Sequence, residues 1–332
     1  MRGNTMKVLI TGGAGFIGSH TAKELSRRGF GVVVADNLKM GHRESVKWGP
    51  FVQCGIHDTD RLREAIREHS ITAVVHLAAD ANARESLEFP REYYETNIVG
   101  TLSVLDAMLR ENVKQLVFAS SCSIYGNLRG VARECEAPVP ISPYGETKLL
   151  CEKILRSYEA AYGLRWMALR YFNVAGADPE GEIGEQHDPE THIIPRVVLN
   201  CLGQHPPVEV LGADHGTEDG TGVRDYVHVS DVASANAAAL SHVLTNGQSE
   251  AVNIGTGTGT SVKQIIQAVE AASGTRATTI DKPAHQGDPN WIVSDPARAA
   301  AVLGWTPRYS AMAQIVETAH AWYRSIYAPG PR

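Results

Sequence analysis

An α/β fold with a parallel sheet covered on both faces is what this 332-residue sequence predicts. Three observations predict it. Short runs apolar on both faces (KVLI, GVVVA, TAVVHLAA, QLVFAS and WMALR) alternate with amphipathic helical patterns over 17–28, 59–69, 91–111 and 143–161. The first run opens into a glycine cluster that leads straight into a helix. After about residue 171 the alternation gives way to polar loops, short strands and isolated helices. The expectation is a Rossmann-type doubly wound parallel sheet over 6–170, with some later segments returning to it. A smaller C-terminal α/β lobe over 171–327 is expected mainly to bind substrate, in the crevice at the carboxyl ends of the strands.

Taken in order, the first element is VLITGGAGFIG, a strand running into Gly12, Gly15 and Gly18 and then into a helix, with Phe16 and Ile17 expected beside the glycines at the cofactor. Without Cβ atoms these glycines permit a tight turn and let a pyrophosphate approach the backbone amides and the positive helix end. The second run, GVVVAD, ends at Asp36, followed by Asn37. A carboxylate there accepts both ribose hydroxyls of a dinucleotide and repels a 2′-phosphate, so NAD is favoured over NADP. The run QLVFAS ends in the serines Ser120, Ser121 and Ser123. The next helix opens with ISPYGETKLL, in which Ser142 is an N-cap and Pro143 suits the first helical position. Tyr144 and Lys148 then stand one turn apart on one face. A phenol with an ordinary pKa near 10 is a poor base at neutral pH; a close, poorly solvated ammonium, aided by the positive nicotinamide ring, favours its charged form, so Lys148 is expected to make Tyr144 usable. Ser121 is placed to pass a hydrogen bond to that phenol. The segment 173–190, rich in Gly, Pro and acid, reads as a loop reaching over a site.

A net charge of -6 without a basic cluster argues against a nucleic-acid partner. No apolar run approaches a membrane span, and MKVLIT lacks a signal-peptide core. Five scattered cysteines without C-x-x-C spacing suit a reduced, cytoplasmic setting. His187 and His192 show no convincing ligand spacing and His20 falls in the first helix, so no metal site is expected. Tyr93 and Tyr94 read as helix packing, and Trp305, Trp322 and Tyr323 as core of the C-terminal lobe.

TGGAGFIG, the Tyr144/Lys148 pair and the serines upstream together resemble the extended short-chain dehydrogenase/reductase superfamily. SSCSIYG, SPYGETK, RYFNVAGA, PETHIIP and TEDGTGVRDYVHVSD resemble more narrowly its UDP-glucose 4-epimerase family, from Met6 to about Tyr323. The resemblance implies that Ser121, Tyr144 and Lys148 are catalytic and that the last two also bind the cofactor. It implies a sugar-nucleotide site with Ser121 and Ser123, Asn173 lining it, Arg224 and His192 at the diphosphate, and Asp288 near the uridine. Ile292, four residues on, falls where bulk excludes N-acetylated sugars. The implied chemistry is transient oxidation at C4 of a UDP-sugar by bound NAD, with Tyr144 taking the hydroxyl proton. The 4-keto sugar then turns over, and hydride returns to its opposite face. Relatives pair into homodimers through the helices read at 91–111 and 143–161. Three positions depart from the family pattern: Gly55 where an acid meets the adenine, Ala81 where some members carry a lysine, and His285 in place of an arginine. Ser121-Cys122-Ser123 also lacks the acids that sugar dehydratases and decarboxylases of this superfamily carry there, which leaves epimerisation. UDP-glucose and UDP-galactose are the expected pair. UDP-N-acetylhexosamine or UDP-hexuronate epimerisation is the alternative, and a non-catalytic NAD-binding regulator is disfavoured by the presence of both Tyr144 and Lys148.

Overall fold

The computed structural model describes residues 6–128, 130–212, 216–245, 247–283 and 290–327. The chain begins with β1 (Lys7–Thr11), α1 (Phe16–Arg27), β2 (Gly31–Asp36), β3 (Phe51–Gln53), α2 (Thr59–His69) and β4 (Ala73–His76). It continues through α3 (Glu85–Glu88), α4 (Pro90–Tyr94), α5 (Gly100–Arg110), β5 (Gln115–Ser121), β6 (Val131–Ala132), α6 (Pro143–Tyr162), β7 (Arg165–Tyr171) and β8 (Asn173–Ala175). Then come α7 (Ile193–Cys201), β9 (Val208–Leu211), β10 (Val223–His228), α8 (Val229–Leu244), β11 (Glu250–Ile254) and β12 (Gly259–Ser261). The last elements are α9 (Val262–Ser273), β13 (Thr279–Lys282), β14 (Trp291–Ser294), α10 (Ala297–Leu303) and α11 (Met312–Tyr327). No described helix is long and apolar enough to cross a membrane.

Seven strands form one parallel sheet in the order β3-β2-β1-β4-β5-β7-β11. Its strands are apolar on both faces because both faces are covered: Val8 and Ile10 enter one core, whereas Leu9 between them enters the other. The order reverses between β1 and β4, whose ends meet at the Thr11–His76 pair. That switch point opens the crevice in which ligands of such sheets bind.

Helix α2 has the bounds its pattern predicts, because both ends are marked: the Asp58 side chain accepts from the Arg61 N–H, and Ser70 closes the helix in a left-handed conformation. The helix read at 91–111 is in fact broken. A π-helical turn, Glu95–Val99, lies between α4 and α5. It carries Asn97, whose carboxamide accepts from the Asp80 N–H and donates to Asp80 O and Thr147 Oγ1. Apolar periodicity does not register such a bulge, which is common near functional sites. The short β3 also escaped the sequence reading.

Later segments do come back to the large sheet. β11 extends it beyond β7, and α8 packs against α1. Trp305 belongs to this core rather than to the second lobe, because α10 leads it beneath α8, where its Nε1–H donates to Asp231 O and Ser234 Oγ. The second lobe centres on β10, parallel to β8 and β14 and antiparallel to β12, with β6 joined to β14. β9 and β13 form a separate pair. The inner sides of α7, α9 and α11 supply its core, including Val197, Ile265, Ile315 and Tyr323, with Trp322 packed against it.

Candidate active site

The three glycines after β1 have different jobs. Gly12 has φ +71°, and a Cβ on it would come within 2.6 Å of the Ala78 nitrogen, so it makes the turn. A Cβ on Gly18 would lie 2.1 Å from the Gly12 carbonyl oxygen, so it lets α1 press onto the loop. Gly15 is under no such pressure: its nearest neighbour would be 3.4 Å away. What its missing side chain keeps clear is the space before the start of α1. No side chain caps that end and its first turn carries no acid, so its amides and dipole are suited to an anion. Phe16 packs edge-on against His20, and Ile17 lies half-buried against the core.

Asp36 is buried at the end of β2. Its Oδ2 accepts from the Ala14 N–H at 3.0 Å and its Oδ1 from the Leu38 N–H at 2.8 Å. Each carboxylate oxygen keeps a lone pair, enough for the two hydroxyls of a ribose. Asn37 turns its own carbonyl oxygen to the Lys39 N–H. At Gly55 nothing lies within 4 Å of a would-be Cβ. Ala81 is exposed, and beside it Lys39 Nζ reaches Asp80 at 2.9 Å.

The carboxyl end of β5 and the start of α6 bring Ser121, Tyr144 and Lys148 together. The Ser142 hydroxyl accepts from the Gly145 N–H and fixes the first turn of α6, while the Tyr144 N–H donates to Ser86 Oγ. The three neighbouring serines separate by direction. Ser120 donates to Glu152 Oε1 at 2.6 Å, away from the crevice, whereas Ser121 donates to Ser123 Oγ and accepts from the Ser123 N–H, both at 3.1 Å. Burial pushes the Tyr144 phenol up to about 12, and the Ser121 hydroxyl only partly opposes this. Lys148 is itself buried, and desolvation takes its ammonium down to about 8. It donates to Ala119 O at 2.8 Å, with its Nζ 5.9 Å from the Tyr144 ring centre. Burial thus opposes the charged form of both groups. Cys122 is no rival acid or nucleophile, since burial pushes its thiol to about 12.

Behind these residues lies a polar network that the sequence reading missed. Arg170 on β7 grips Glu152 on α6 through Nε and NH2 at 3.0 and 2.7 Å, and donates through NH1 to Tyr125 OH at 2.8 Å. Tyr125 in turn donates to Asn253 on β11. The one signal was Arg170, a charged residue at the end of the apolar run WMALRY.

From the second lobe, β10 presents Arg224 opposite Ile292 on β14, and Tyr226 opposite Asn173 on β8. Asp225, fully buried, sets this register by accepting from Thr256, Gly257 and Ser294. Arg224 lies close enough to Cys122 to pull its thiol down against burial, so the two lobes meet at the serine segment. Ile292 is buried with Ile124, Tyr125 and Phe172. His192 opens α7 with its Nδ1 set between Glu185 and Glu190, at 2.9 and 3.0 Å. Asp288 and His285 lie outside the described residues.

Residues 8–255 match the family model described as "NAD dependent epimerase/dehydratase family". The chain belongs to that family. It is 43% identical over 317 residues to a UDP-glucose 4-epimerase of Rhizobium meliloti, covering 95% of this chain and 96% of that one. A counterpart in Halalkalibacterium halodurans is 42% identical over 320 residues, covering 96% of each. Among solved structures, UDP-glucose 4-epimerase from Brucella ovis in complex with NAD superposes with a TM-score of 0.93 at 46% identity, covering 96% of this chain and 98% of that one. The enzyme from Bifidobacterium longum with NAD+ and UDP does so with 0.91 at 33%, over the same shares. Gly15 and Asp36 suit this NAD-dependent family: the first leaves clear space before the helix end, and the second holds acceptor lone pairs.

Proposed function

We propose that the chain interconverts UDP-glucose and UDP-galactose by epimerisation at C4. The observation that carries the reading is the convergence of Ser121, Tyr144 and Lys148 at the carboxyl end of β5, in a chain matched along nearly its full length by UDP-glucose 4-epimerases. NAD, when bound, would supply the reversible hydride acceptor that oxidation at C4 of the sugar requires.

The residues of this chain do the rest. Tyr144 takes the proton from the 4-hydroxyl and returns it, with Ser121 bridging hydroxyl and phenol. Lys148, held by Ala119 O, keeps its remaining donors for the phenol and the nicotinamide ribose. Gly15 and Asp36 hold the pyrophosphate and the adenosine ribose. Arg224 holds the substrate diphosphate and Asn173 lines the sugar site. The 4-keto sugar must then expose its other face before reduction. Elimination of water is disfavoured because it needs a spare carboxylic acid near the sugar. The acid that touches the serine segment, Glu152, is locked to Arg170 and Ser120.

The protein is read as a cytoplasmic homodimer. The faces of the π turn and α6 leave Val99 48% and Leu150 38% exposed, which supports pairing through those helices. Incubation with UDP-galactose followed by chromatography tests the activity: UDP-glucose should accumulate to equilibrium. No conversion with NAD added would overturn it, and faster turnover of UDP-N-acetylglucosamine or UDP-glucuronate would move the assignment to those sugars.

A further inference from the structure

The loop entering α7 folds back on itself so that Glu185, His187, Glu190 and His192 point at one another. Their ligand atoms all lie within 4.8 Å. His192 Nδ1 stands 2.9 Å from Glu185 Oε1 and 3.0 Å from Glu190 Oε1, and His187 Nδ1 stands 3.1 Å from Glu185 Oε1 and 3.8 Å from Glu190 Oε2. Both carboxylates are almost wholly buried, at 4% and 6% exposure. Two buried negative charges require two positive ones.

Two imidazolium ions would balance the charge, but they do not account for the geometry. A ring N–H aims at one acceptor. His192 Nδ1 is shared evenly between two carboxylates, and the buried His187 Nδ1, although 3.1 Å from Glu185 Oε1, is not aligned with it for a hydrogen bond. Around a four-coordinate ion with bonds near 2.1 Å, neighbouring ligand atoms lie about 3.4 Å apart. The four nitrogen–oxygen separations here bracket that value. Two imidazoles with two carboxylates form a borderline N/O donor set.

We propose that Glu185, His187, Glu190 and His192 form a closed four-ligand site for a divalent cation of the Zn2+ class. The four ligands span only eight residues, so the ion would close a short loop. The loop is tied elsewhere: Trp322 Nε1–H donates to Glu185 O at 2.9 Å, the Tyr323 hydroxyl donates to Glu190 Oε2 at 3.1 Å, and His42 Nε2 bonds Gln186 O at 2.6 Å. The ion's role is structural, holding the loop that enters α7 against α11. It does not depend on the identity of the sugar.

The test uses the full chain stripped with a chelator and then titrated with Co2+ and Zn2+. One Co2+ per chain should bind and give the intense visible bands of a four-coordinate site, one equivalent of Zn2+ should bleach them, and Zn2+ should raise Tm. His187→Gln and Glu190→Gln should each lose the bands while still retaining NAD. Wild-type protein that takes up no Co2+, or shows only weak six-coordinate bands, overturns the proposal. Uptake by His187→Gln equal to wild type overturns it as well.

Discussion

Gly12, Asp36 and Ser121 stand at or just beyond the ends of parallel strands whose neighbours follow in the chain. Arg224, Asn173 and Ile292 stand on short strands assembled from distant segments: β8 beside β10, and β10 beside β14. In the first region each position follows from a local pattern, a strand that stops and a helix that starts. In the second it follows from pairings that no local pattern encodes, of which Asp225 ties β10 to β14 and to the loop before β12 through five hydrogen-bonded donor groups.

The contrast can be broken most forcefully at Tyr144. Tyr144→Phe removes one hydroxyl and little packing, so turnover should fall by roughly a thousandfold or more. Bound NAD and Tm should stay near wild type, and a loss smaller than tenfold would remove Tyr144 as the base. Next in size is the buried pair behind it. Arg170→Met strands the Glu152 carboxylate and should cost roughly 3–5 kcal/mol in denaturant unfolding. A cost below 1 kcal/mol would mean that the network does not brace the site.

The dinucleotide half should also carry its own acid sensitivity. Burial holds His20 at about 4 and His76 at about 3, both below the 6.5 of an unfolded histidine. Below pH 6.5 the unfolded chain binds protons that the folded chain refuses. Stability is therefore present above pH 6.5 and lost as pH falls toward 4, by roughly 1.4 kcal/mol per unit for each histidine. Thermal melts between pH 7 and 4 should show this, and His20→Gln should flatten the slope; an unchanged slope would contradict it. The smallest effect belongs to the second lobe. Arg224→Ala should raise KM for UDP-galactose by roughly ten- to a hundredfold, the worth of one or two charge-assisted hydrogen bonds, with kcat far less affected. A loss confined to kcat would place Arg224 with the chemistry instead.

Legibility follows the same division. The glycine loop, Asp36, the bounds of α2 and the Ser142-capped start of α6 could be read because caps and periodicity are local signals. The π turn at Asn97, the short β3 and the migration of Trp305 could not, since tertiary partners decide them. Tyr144 and Lys148 were legible as neighbours, because spacing reports proximity; the burial that pushes the phenol up and the ammonium down has no local signature. Glu185, His187, Glu190 and His192 sit in a loop whose fold-back has no periodic signature.

The most direct measurement of the central claim follows isotope at C4. UDP-galactose carrying deuterium there, converted in ordinary water, should give UDP-glucose that keeps the label, because the hydrogen leaves and returns as hydride within one closed crevice. Loss of that label to solvent during inversion would contradict the account.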